Sequence, residues 1–121
     1  MKDYDFLSQA CKRAGKVKDE GRAYYSAGVL LDNVGRFKQS ISRYLKFLEV
    51  CKAIGDKEGE ALAYNALGVA YQKMGEAGQE NYVKAMEFHK KHLEIADVSG
   101  QFMASINLGL ISEALKDSEG A

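Results

Sequence analysis

The chain has no proline, no tryptophan and two cysteines among its 121 residues. It has no charge surplus either, since Lys plus Arg and Asp plus Glu both number 17. Each shortage excludes something. A nucleic-acid binder is expected to carry a basic excess, and so is a polybasic membrane dock; neither is supported. No run approaches the roughly 20 apolar residues that span a bilayer. The opening Met1-Lys2-Asp3-Tyr4-Asp5 is acidic and is followed by no apolar stretch, unlike a secretory leader, so the expected compartment is the cytoplasm. A secreted disulfide scaffold of this length carries more cysteine. At average usage about six prolines are expected, and having none favours long unbroken helices.

What is present is a repeat. Displacing the sequence by 40 places superposes residues 4–36 on 44–76 without a gap, with ten identities in 33 positions. They include Tyr4/Tyr44, Cys11/Cys51, Gly15/Gly55, Tyr24/Tyr64, Gly28/Gly68 and Gly35/Gly75. A weaker third copy begins near Gly100, with Gly109 answering Gly68. The two cysteines are therefore one structural position used twice. Equivalent atoms of stacked helical repeats lie at least one helix contact apart (about 8–10 Å), beyond the ~7 Å Cα limit of a disulfide. Both are expected reduced and buried.

Within each copy the apolar spacing is helical. One helix of each copy, termed A, carries Ala23, Tyr24, Ala27, Leu30, Leu31 and Val34, then Ala63, Tyr64, Leu67, Ala70, Tyr71 and Met74, then Ala104, Leu108, Ile111 and Leu115. The other, termed B, carries Phe37, Ile41, Tyr44, Leu48 and Cys51, then Tyr82, Ala85, Met86, His89, Leu93 and Ala96. Residues 4–14, with Tyr4, Leu7, Cys11 and Ala14, match a B helix. Gly15, Gly35, Gly55 and Gly75 each follow the last apolar residue of a helix, where a positive φ ends it. Asp56 is placed to cap the helix starting at Lys57. Gly28, Gly68 and Gly109 fall inside helices, at about 1 kcal/mol each. A cost repeated at one register implies that the backbone of a partner helix approaches closely there.

These residues resemble the tetratricopeptide repeat, in its Tyr24-Tyr25-Ser26-Ala27-Gly28, Tyr64-Asn65-Ala66-Leu67-Gly68 and Ser105-Ile106-Asn107-Leu108-Gly109 segments. The 40-residue period and the run Ala85 to Ala96 are similar to a long-period subfamily of polarity and G-protein-signalling adaptors and ciliary repeat proteins. The sequence departs from the family pattern in lacking the repeat-end proline, in Ser105 and Ser112 where aromatics stand, and in an inserted Ala77–Asn81, read as a surface loop. The resemblance implies an all-α, right-handed α-solenoid of antiparallel pairs, six helices in the order B-A-B-A-B-A. Its divisions are a leading half repeat at 1–15, full repeats at 19–54 and 57–98, a third A helix at 100–116 and a tail at 117–121. The chain starts and stops half-way through a repeat, so the expectation is a fragment of a longer array or self-association through the end helices.

No nucleophile is set beside a base and an orienting acid, so no catalytic residue is assigned and no enzyme is expected. No cofactor is implied. His89 and His92 are too few for a dedicated metal site and are read as packing residues. Lys84, Glu87, Lys90, Lys91 and Glu94 read as a solvated face. Recognition of a protein partner remains. The concave, non-core face of the A helices then offers Arg22, Tyr25, Val29 and Asn33, next Leu62, Asn65, Val69 and Lys73, and last Met103, Ile106, Asn107 and Leu110. That face turns from polar to apolar along the chain. It lacks the Lys, Arg and Asn arrangement by which chaperone-binding relatives hold a terminal carboxylate, and suits an amphipathic helix or extended apolar peptide as its ligand.

Overall fold

The structure is a computed structural model that describes residues 2–120, with side chains described for 16–116. It is all-helical, with α1 at Lys2–Asn33, α2 at Phe37–Ile54, α3 at Lys57–Lys73, a 3₁₀ turn at Gly75–Ala77, α4 at Gln79–Ile95 and α5 at Val98–Gly120. There are thus five α-helices where the repeat pattern predicted six. The difference lies at Gly15, where a break was expected and α1 runs straight through. Two of the later helix starts carry caps that have no counterpart at residue 16. The side chain of Asp56 accepts from Gly59 N–H at 3.0 Å, and that of Asp97 from Gly100 N–H at 2.9 Å, so α3 and α5 each start on a capping aspartate. The position equivalent to Asp56 is Lys16, which caps nothing. A glycine without a following cap is tolerated within a helix.

Gly35 and Gly55 behave as predicted, at φ 83° and 71°. Gly55 closes α2 with its N–H on Lys52 O and Cys51 O. Gly75 does not take a positive φ; it is buried beneath the ring of Tyr82, and the chain leaves α3 through a 3₁₀ turn. The inserted Ala77–Asn81 is no loose loop. Its last three residues form the first turn of α4, and the Asn81 side-chain amide donates to Met74 O at 2.9 Å.

Two helical hairpins follow. In the first, Gly28 of α1 faces Tyr44 of α2, and Gly21 faces Val50, which makes the pair antiparallel. In the second, Gly68 of α3 faces His89 of α4. A methyl group built on Gly28 falls 2.5 Å from the Tyr44 ring, and one on Gly68 falls 2.6 Å from the His89 ring. The notches exist, and each is filled by a ring rather than by backbone. Ser40, one turn before Tyr44, is fully buried and donates to Gly28 O at 2.7 Å. Gly109 is different: nothing described lies within 4 Å of a methyl group there. Helix α4 packs against another part of α5, and among the described residues no element follows α5 to fill the Gly109 position.

The core runs from α2 through α3, around Ile41, Tyr44, Phe47, Leu48, Cys51, Ala63, Leu67 and Ala70. The B-helix pattern held: Ala85 and His89 are also buried, as are Ala104 and Ile111 of α5. On α1 the expected core face holds only in part: Tyr24 packs on the core as expected. Leu30 and Val34 are 67% and 69% exposed and Ala23 is exposed, whereas Tyr25 and Val29 pack on the core. No described element covers Leu30 and Val34; the face of α1 toward α2 is the buried one. Cys51 is a buried free thiol, as predicted; the side chains of Cys11, Tyr4, Leu7 and Ala14 lie outside the described residues.

Candidate functional site

The A-type helices α1, α3 and α5 lie side by side. Lys73 of α3 forms an ion pair with Asp32 of α1 at 3.0 Å, an interaction 41 residues apart in sequence. Asn107, Leu110 and Ala114 of α5 share a cleft with Val69, Gln72 and Lys73 of α3. Helix α2 packs on α1 and α3, and α4 on α3 and α5.

The larger cleft, about 680 Å³, opens between α1 and α3 with the C-terminal half of α2 as its floor. Lys18, Arg22, Tyr25 and Ser26 come from α1, Phe47, Val50 and Ile54 from α2, and Glu58 and Leu62 from α3. The floor is apolar, and Ile54 and Leu62 remain more than a third exposed there. The rims carry opposite signs, with Lys18 and Arg22 facing Asp56 and Glu58. Such a surface binds an apolar side chain at its centre and orients flanking polar groups at its edges.

The predicted groove residues therefore divide. Arg22, Tyr25 and Leu62 meet in the larger cleft, and Val69, Lys73, Asn107 and Leu110 in the smaller one. Tyr25 is only partly available, because its ring packs on Tyr44 and Phe47 at centroid distances of 5.8 and 5.1 Å. Val29 packs against the core. Asn33 is exposed at the end of α1, and Met103 and Ile106 are about half exposed on α5, outside both clefts. Asn65 sits between the two clefts in sequence and is half-buried. Its Oδ1 is buried without a hydrogen-bond donor. The floor of the larger cleft (Phe47, Val50 and Ile54) was not predicted, because those residues belong to a B helix whose contact with α1 depends on how α1 turns.

His89 and His92 are both buried. His89 Nε2 lies 3.3 Å from Gln72 Oε1. Burial, reinforced by His92, pulls the His89 imidazole down to about 4, and burial also lowers His92 against the opposing pull of Asp97. Both rings are neutral packing groups at neutral pH. No cluster of three metal-ligating side chains occurs among the described residues. Burial pushes the Cys51 thiol up to about 11, which makes it a poor nucleophile. The charged face of α4 is exposed, as read from sequence, and also shields rings: Lys84 lies over Tyr71, and Lys91 over Tyr64 and Phe88.

No helix among the described residues is long and apolar enough to cross a membrane. No protein-family model matches the chain. Over 93 residues the chain is 29% identical to the Tonsoku-like protein of Mus musculus. That stretch is 74% of this chain and 6% of the relative, so the chain spans a small part of the relative's length.

Proposed function

We propose that this chain is a non-enzymatic protein-interaction module, built as a right-handed tetratricopeptide-like solenoid, that holds a peptide or helix of a partner protein between its A helices. The observation that carries the reading is the α1–α3 cleft, with exposed Leu62 and Ile54 set between rims of opposite charge. Enzymes bury their reacting groups among perturbed acids and bases; the perturbed groups here, His89, His92, Cys51 and Tyr44, are shifted chiefly by burial. An apolar side chain of the ligand fits against Leu62 and Ile54, and its flanking polar groups meet Lys18 and Arg22 on one rim and Asp56 and Glu58 on the other. Selecting peptides from a displayed library on the immobilised chain tests this. Leu62→Glu should reduce binding of a selected peptide about tenfold or more, while helicity and mass stay unchanged. Peptides that bind wild type and Leu62→Glu equally contradict it.

A second reading, a structural element that stacks through its end helices, is favoured by the apolar face of α5 around Phe102, Met103, Ile106 and Leu110.

A further inference from the structure

An apolar side chain accounts for the centre of the α1–α3 cleft, but the rims hold charges that have no partner within the chain. On α1, Lys18 and Arg22 stand four residues apart on one face of the helix, and both are exposed. Like charges at that spacing repel. Neither has an ion pair among the described residues, where the pairs are Lys57–Glu60 and Lys73–Asp32. Across the cleft, Glu58 is exposed one turn before Leu62 on α3, and it too has no ion pair there. Asp56 stands beside it with a different task, since its Oδ1 accepts from Gly59 N–H to cap α3. Farther along the same two helices opposite charges do meet, Lys73 and Asp32 at 3.0 Å. In the cleft they are held apart on either side of exposed Leu62 and Ile54, around a volume of about 680 Å³. That volume suits a bound group, ligand sites running from roughly 300 to 1,000 Å³.

We infer that the ligand of this cleft is a protein segment with an acidic and a basic residue on opposite flanks of its apolar anchor, the acid over Lys18 and Arg22 and the base over Glu58. The acid relieves the repulsion between the two cations, and the base gives Glu58 a partner. A segment of a single sign sets one flank against a rim of its own sign, and an uncharged segment leaves both rims unpaired. The order of signs therefore selects the ligand more than it tightens it. The inference rests on the proposed reading of the cleft as a peptide site. Peptides selected from the displayed library should be enriched in an acid and a base on either side of the apolar residue. Binding of such a peptide should weaken about threefold or more in Lys18→Glu/Arg22→Glu and in Glu58→Lys, and should weaken as salt is added. The chain carrying all three changes, with Asp56 kept for its cap, should prefer the peptide whose acid and base are exchanged. Peptides that lose binding in Leu62→Glu yet are indifferent to every charge change overturn the inference and leave the proposed reading standing. Peptides that bind Leu62→Glu as they bind wild type overturn both.

Discussion

The packing is decided by a few side chains whose chemistry suits a dry interface. His89 fills the Gly68 notch as an uncharged ring, and its pKa near 4 against an ordinary 6.5 has a thermodynamic consequence. The unfolded chain binds a proton at His89 more readily than the folded one does. Its contribution is therefore complete above pH 6.5 and is lost as pH falls toward 4. At 1.36 kcal/mol per pH unit, the loss is of order 3 kcal/mol. Urea unfolding at pH 7 and pH 4.5 should show the drop in wild type, and His89→Phe should flatten the part due to this ring. Cys51, buried and with its thiol near pKa 11, should resist alkylation until the chain unfolds. Mass spectrometry after iodoacetamide treatment in native buffer and in denaturant checks this, with residue 51 modified only in denaturant.

Helices were legible in the sequence as far as their termini carry chemistry. The apolar period of 3 and 4 located α2, α3, α4 and α5; Gly35 and Gly55 marked the C-terminal ends of α1 and α2, and Asp56 the start of α3. Gly15 does not act as Gly35 and Gly55 do: α1 continues through it, and Leu30 and Val34 are exposed. A following cap does not separate the cases, since Gly35 ends α1 although Arg36 after it makes no cap. The starts of α3 and α5 were readable, because Asp56 and Asp97 each stand three residues before a glycine whose N–H they accept. Asp56→Ala should lower stability by about 1 kcal/mol through loss of the cap, read from the urea midpoint at constant slope. The floor of the larger cleft was illegible for a related reason. Residues Phe47, Val50 and Ile54 become a surface only once the rotation of α1 about its axis is known, and no local pattern sets that rotation.

Across the whole molecule the arrangement is a row of A helices joined by small contacts. The Asp32–Lys73 pair is surface-exposed on the lysine side and contributes no more than about 1 kcal/mol; the notches matter more. The repeated glycine was visible in the sequence at all three copies, and a packing notch was expected at each; two are notches, filled by rings and not by the backbone expected, and the third is open, because what fills a notch depends on the element opposite. The comparison of the three sites tests the account most directly. Alanine should be placed at each glycine in turn and unfolding measured in urea, at a concentration low enough to keep the chain monomeric. Gly28→Ala and Gly68→Ala drive a methyl into the buried rings of Tyr44 and His89 and should cost about 1–3 kcal/mol each. Gly109→Ala meets nothing and should raise stability by up to about 1 kcal/mol through better helix propensity. Equal effects at all three positions, or a gain at Gly28 or Gly68, would contradict it.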